Sequence, residues 1–178
     1  MSGYELQKQF SLSVGHVWYA ADSQIYPELR KMESEGLVEG EDQTRGERGT
    51  RRLYHVTPQG DAAFLEWMET PLEYSRVRDP ANLKAAYLET TSRESARAFL
   101  LAHIDQWQRE RGQWEEELRH IDSGESAMLV RRLTVTADDD RDATVAFKRF
   151  SYEGLLARAD AEIAWAERGL RLLDDLDR

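Results

Sequence analysis

The sequence predicts a mainly α protein that carries one small β-hairpin in its first third and ends in a domain of long helices. Three observations predict it. Residues 23–35 place apolar side chains on one helical face only; two short alternating stretches flank a loop rich in glycine and arginine; and beyond residue 91 apolar residues recur at helical spacing for many turns.

The bulk composition bounds the problem. At 178 residues the chain fits one or two small domains with a real core. Charged residues make up 33% and hydrophobic residues 40%, an ordinary globular balance. No apolar run reaches the roughly 18 residues of a membrane span, and "MSGYELQKQF" lacks the basic-then-apolar layout of a signal peptide. With no cysteine, disulfides, thiolate metal sites and cysteine nucleophiles are excluded. A cytoplasmic protein is the expectation. The net charge is −10, yet it is unevenly spread: residues 1–60 hold seven basic and nine acidic side chains, and the remainder nets −8. Within the first part, "QTRGERGTRR" carries a local +3.

Taken in order, "GYELQKQF" reads as a short helix turning Leu6 and Phe10 inward, and "SLSVGHVWYAADS" as a turn or irregular linker. The next helix is expected to start near Asp22 or Ser23, both good N-cap types. On its wheel Ile25, Leu29 and Met32 share one side; Ser23, Pro27, Arg30 and Ser34 lie opposite, flanked by Tyr26 and Lys31. Pro27 requires the regular part to begin close before it or to accept a bent first turn. Gly36 is placed to end the helix in the left-handed conformation. "LVEGE" and "RLYHVT" are strand candidates around the Gly/Arg loop, which makes a hairpin, and Thr57-Pro58 reads as an N-cap with proline at the first position of "QGDAAFLEWME". Helix, helix, hairpin, helix within about 70 residues is the order of a winged helix-turn-helix.

After Pro71 "EYSRVRDP" reads as a connector, with Asp79-Pro80 opening the helix "ANLKAAYLETT". Thr91 and Glu94 read as the capping box of a long helix to about Ile121, with Ala96, Leu100, His103, Trp107, Trp114, Leu118 and Ile121 inward. "DSGES" breaks it. "AMLVRRLTV" is a further helix or an irregular segment, "TADDDRD" is polar, and the last helix is expected from about Ala143 to Leu176. That helix is apolar on more than one side near its end, which points to burial in a homodimer through Phe150, Leu155, Trp165, Leu172 and Leu176. The predicted organisation is 1–71 winged helix-turn-helix, 72–90 connector with a short helix, and 91–178 helical dimerisation and effector domain.

Four groups of residues carry a family resemblance: Gly3-Tyr4-Glu5-Leu6; Ile25-Tyr26-Pro27-x-Leu29; Glu33-x-x-Gly36-Leu37-Val38; and Tyr54-x-Val56-Thr57-Pro58-x-Gly60. In this order and spacing the first third of the chain resembles the DNA-binding domain of PadR-family transcriptional regulators, and the helical remainder, with "GLLARADAEIAWAERGL", is similar to the dimerising region of the family's longer members. The resemblance implies a homodimeric repressor whose helix 23–35 enters the major groove of a pseudo-palindromic operator, with the hairpin as a wing. The wheel itself offers Ser23, Gln24, Tyr26, Pro27, Arg30 and Lys31 to DNA, residue types that reach base edges or phosphates. Tyr4 of the first motif joins them by resemblance. Arg45, Arg48, Arg51 and Arg52, with Gly46 and Gly49, form a basic loop suited to phosphate or a narrow groove; the bland alternative is a solvated charge run.

Family members carry one more helix ahead of the Gly-Tyr-Glu-Leu segment. This chain starts two residues before that segment, so the winged domain is expected to be missing its first helix. Either the start codon is placed too late, or the C-terminal helices cover Leu6, Phe10, Leu29 and Met32. The resemblance also implies release of DNA by a small aromatic or hydrophobic effector between the domains. Trp67, Tyr87, His103, Trp107 and Trp114 are the residues offered for such a pocket, against a plain core or interface role.

Enzyme readings find no support. His16, His55, His103 and His120 show no metal-ligand spacing, no glycine-rich phosphate loop or G-x-S-x-G elbow occurs, and "TADDDRD" lacks the calcium-loop pattern. No cofactor and no metal are expected. The rival reading is a dimeric helical protein-interaction module whose winged domain no longer binds DNA, favoured by the net charge and the missing helix.

Overall fold

The computed structural model describes residues 1–13, 21–44, 50–74 and 78–176. It divides into two compact units, Met1–Arg76 and Val77–Arg178.

The first unit holds α1 (Gly3–Ser13), α2 (Asp22–Ser34), β1 (Val38–Thr44), β2 (Thr50–Val56) and α3 (Pro58–Glu69). β1 and β2 pair antiparallel from Val38 opposite Val56 to Thr44 opposite Thr50. Both strands are longer than the sequence pattern alone marks, because ladder hydrogen bonds extend them through the polar residues toward the tip. Ser2 bridges to Leu53, and Met1 and Tyr54 exchange hydrogen bonds, the ammonium donating to the Tyr54 carbonyl at 2.9 Å and the Tyr54 amide to the Met1 carbonyl at 2.7 Å. The first two residues thus run antiparallel to β2 through an isolated bridge beside the two-stranded sheet.

α2 begins one residue earlier than the sequence suggests. Ala21 occupies the N-cap position with no side-chain cap of its own, and its amide donates to Gln24 Oε1 at 3.1 Å, the reverse half of a capping box. Pro27 lies within the continuous helix. Gly36 follows the C-cap residue Glu35 with φ of 74°, the left-handed conformation that glycine adopts without penalty. Leu29 is buried, and Ile25 and Met32 are half-buried. With Leu6, Phe10, Gln24 and Glu28 these three line an open concavity of about 490 Å³ between α1 and α2, formed by the apolar surface that the sequence marks as needing cover.

The second unit holds α4 (Pro80–Ala85), a 3-10 turn at Leu88–Thr90, α5 (Arg93–Ser123), α6 (Ala127–Leu133), a second 3-10 turn at Asp138–Asp140, and α7 (Arg141–Leu176). The helix expected over 81–91 is only α4. Asp79 caps it, accepting from the Asn82 amide, and the chain tightens into the 3-10 turn after Tyr87. Ser92, not Thr91, caps α5, accepting from the Ser95 amide at 3.1 Å; Thr91 is extended backbone at the end of the preceding turn. α5 spans about 46 Å and ends at Gly124, again left-handed.

α5 and α7 run antiparallel, as the cross-pairs Arg97–Asp174, Arg111–Asp160 and Arg149–Asp122 require. Their shared core has two parts: Trp114, Ile121, Tyr152 and Ala159 with Leu129 of α6, and Ala96, Leu100, Ala166 and Leu173. Alanines at three of these positions, none more than 1% exposed, let the two long helices approach closely. The inward residues read from α5 fall where the periodicity puts them: Ala96, Leu100, Trp114 and Ile121 are buried, and His103, Trp107 and Leu118 half-buried.

Candidate nucleic-acid interface

The outward face of α2 is the candidate site. Ser23, Gln24, Tyr26, Pro27, Arg30 and Lys31 are all exposed; Pro27 and Lys31 lie opposite Leu29 with Ser23 and Arg30 beside them, and Tyr26 and Gln24 form the two edges, Gln24 also lining the concavity. Lys31 lies 3.6 Å from Glu28 on the surface, a solvated pair that costs little to exchange for another anion. The Tyr26 ring rests on Gly3 of α1, where an added Cβ would meet ring carbons at 2.6 and 3.2 Å. Glycine in the first motif therefore makes room for tyrosine in the second. Tyr4, beside it, is exposed.

The fourth motif fixes the hairpin to α3 and to the end of α2. Thr57 caps α3 by accepting from the Gly60 amide at 3.1 Å, and its hydroxyl donates to the Gly36 carbonyl at 2.6 Å. Gln59 Nε2 donates to the Glu35 carbonyl at 3.1 Å. A Cβ on Gly60 would stand 2.1 Å from the Leu37 carbonyl oxygen, so only glycine fits this crossing.

Of the four loop arginines, Arg45 and Arg48 lie outside the described residues. Arg51 and Arg52 lie in β2, and neither is a free cation. Arg51 pairs with Glu5 of α1, and Arg52 with both Glu33 of α2 and Asp42 of β1, the latter at 2.8 Å. The Arg51 contact, with help from the Ser2 amide, holds the Glu5 carboxyl below the usual carboxylate range, while Glu33 and then Asp42 push the Arg52 guanidinium further up. Glu5 and Glu33 are the residues that sequence reasoning missed as site components. The available signal was strand alternation, which sends adjacent Arg51 and Arg52 to opposite faces.

The residues offered for an effector are dispersed. Trp67, on α3, is 66% exposed and belongs to the first unit; Tyr87 is exposed in the second. His103, Trp107 and Trp114 form a ladder along α5, with ring centroids 6.1 and 6.3 Å apart. Trp165 of α7 meets His103 edge-on at 5.2 Å, and His103 Nε2 lies 3.2 Å from Glu162. Trp114, 3% exposed, is core. Among the residues expected at a dimer interface, Leu155 and Trp165 pack within the unit's own core, whereas Phe150, Leu172 and Leu176 are exposed, as is Phe147. No group of three or more metal-binding side chains occurs among the described residues, and none of their helices is long and apolar enough to cross a membrane.

Residues 1–66 match the transcriptional regulator PadR-like family. The first 66 residues thus carry a domain of that family. Its members are transcriptional regulators and not enzymes, in keeping with the winged helix-turn-helix built by α1–α3 and the hairpin. The negative transcriptional regulator PadR of Bacillus subtilis is 32% identical over 98 residues, 54% of this chain and 53% of the relative. The chain spans about half the length, or less, of the curated relatives it matches. The fold match is longer. Bacillus subtilis PadR in complex with operator DNA superposes with a TM-score of 0.72 at 23% identity, covering 97% of this chain and 91% of that one; the same protein in complex with p-coumaric acid gives 0.60. The Vibrio cholerae virulence activator AphA gives 0.66 at 26% identity, covering 98% and 90%. Both superpositions run over nearly the whole of this chain, the winged unit and the long helices alike.

Proposed function

We propose that this PadR-like chain is a homodimeric, sequence-specific DNA-binding transcriptional repressor of the cytoplasm, acting on a pseudo-palindromic operator and released by a small aromatic or hydrophobic effector. One observation carries the reading: α2 turns Leu29 inward and presents Ser23, Gln24, Tyr26, Pro27, Arg30 and Lys31 together to solvent. A helix of this kind suits the major groove, where serine and glutamine reach base edges and arginine takes guanine or phosphate. In this reading 1–71 binds DNA, 72–90 connects, and 91–178 dimerises and senses. Two copies set their α2 helices one turn of DNA apart.

The exposed apolar residues of α7, Phe147, Phe150, Leu172 and Leu176, support self-association. The aromatic residues Trp67, Tyr87, His103, Trp107 and Trp114 remain the proposed effector contacts, and the p-coumaric acid complex of the Bacillus relative makes a phenolic acid the first compound to try. An effector that favours a spacing of the two α2 helices unlike that of the operator would shift the population toward release. The test is a band shift with the Tyr26→Ala, Arg30→Ala double variant. The expected result is loss of the sequence-dependent complex with retained folding by circular dichroism; operator binding equal to the wild type would overturn the assignment of α2.

A further inference from the structure

Arg51 and Arg52 are held by carboxylates of three different elements. Arg52 spreads its planar guanidinium over two acids, Nη2 on Glu33 Oε1 and Nη1 on Asp42 Oδ1. The same Glu33 oxygen accepts from the Gly40 amide at 3.1 Å. One carboxylate of α2 therefore joins β2 through a side chain and β1 through the backbone. The fit is tight: a Cβ on Gly40 would come within 2.5 Å of both Arg52 Nε and Glu33 Oε1. Arg51, on the opposite face of β2, pairs with Glu5, which is itself fixed to Ser2 by reciprocal hydrogen bonds of 3.1 and 3.2 Å.

We infer that Arg51 and Arg52 are positioning residues, struts that set the hairpin against α1 and α2 with Glu5 and Glu33 as anchors, and that they do not neutralise DNA phosphate. This deepens the proposed function and rests on it for the DNA arm of the test. Counterion release counts cations that exchange small ions for phosphate. An arginine whose charge is already met by two carboxylates displaces few of the cations condensed on DNA, and to reach a phosphate it would have to abandon the geometry that aims the hairpin. Among the described residues the exposed strip of α2, with Arg30 and Lys31, is left to meet DNA, and the angle of the hairpin to that strip is what the struts fix.

Three variants separate a strut from a phosphate contact: Arg52→Gln, Arg52→Lys and Glu33→Gln. Lysine satisfies a phosphate as a point charge but cannot span two carboxylates. Binding of the full chain to duplex DNA from immediately upstream of its own gene is measured across a salt series. For a strut, Arg52→Lys weakens binding as much as Arg52→Gln, about tenfold, and the slope of log affinity on log salt is unchanged. For a phosphate contact, Arg52→Lys keeps the wild-type affinity and slope while Arg52→Gln lowers the slope by about 0.9; that outcome overturns the inference. A second arm needs no DNA. Amide hydrogen exchange in the free protein is expected to quicken at Gly40 by about tenfold or more in Arg52→Gln and Glu33→Gln. Unchanged exchange overturns the strut whatever the DNA data show. If the wild-type chain binds no DNA at all, the proposed function fails and the exchange arm alone decides.

Discussion

Gly60 shows how a single hydrogen in place of a methyl group holds the winged unit together. Its Cα passes so near the Leu37 carbonyl that a Cβ would lie 2.1 Å from the oxygen, and backbone at that point cannot rotate away as a side chain would. Gly60→Ala is expected to destabilise the unit by about 3 kcal/mol through the forced shift, read as a lower denaturant midpoint. Tyr152 is the informative residue of the second unit. Burial, assisted by Glu117, pushes its phenol up from 10.0 to about 12. The folded protein keeps this proton to higher pH than the unfolded chain, so between those values the unfolded state binds fewer protons and stability falls as pH rises through that window. An ultraviolet titration should show a late-ionising tyrosine that Tyr152→Phe removes; an identical curve in the variant would refute the assignment. At this scale the sequence was legible where a residue acts on its chain neighbours, as Thr57 does in capping α3. It was not legible for Glu5 and Glu33, whose partners lie 46 and 19 residues away in sequence and are set by strand register.

Among the elements, the long helices were the most readable, because a period near 3.6 sustained over many turns has few other solutions. α2 was readable for the same reason, and Pro27 did not break it. The short pieces were not: α4 ends after six residues because the turn at Leu88–Thr90 tightens the chain, and local composition does not distinguish that from a longer helix. The cap of α5 moved from Thr91 to Ser92, a one-residue choice between two competent hydroxyls. Gly124 offers a clean check on helix termination. It is left-handed, and a Cβ there would meet nothing within 4 Å, so any cost of Gly124→Ala is conformational and not steric. About 1 kcal/mol of lost stability is expected, measured by urea unfolding; no loss would mean that the end of α5 does not depend on this conformation.

At the scale of the whole molecule the predictions concern assembly and DNA. Phe147, Phe150, Leu172 and Leu176 leave apolar surface on α7, and the proposed dimer would remove it from water at roughly 25 cal/mol per Å². Phe150→Asp with Leu172→Asp is expected to give a folded monomer by light scattering where the wild type gives a dimer; an unchanged mass would move the interface elsewhere. The net charge of −10 does not argue against DNA by itself, since the acidity is concentrated beyond residue 60 and a nucleic-acid partner responds to the local field of the surface it meets. The central claim is that this chain reads DNA through α2. The most direct measurement is a band shift with the duplex immediately upstream of its own gene, at two salt concentrations and against a scrambled duplex. Tight, sequence-dependent binding that weakens steeply as salt rises is the predicted result. Binding that ignores sequence, or none at either salt concentration, would contradict it.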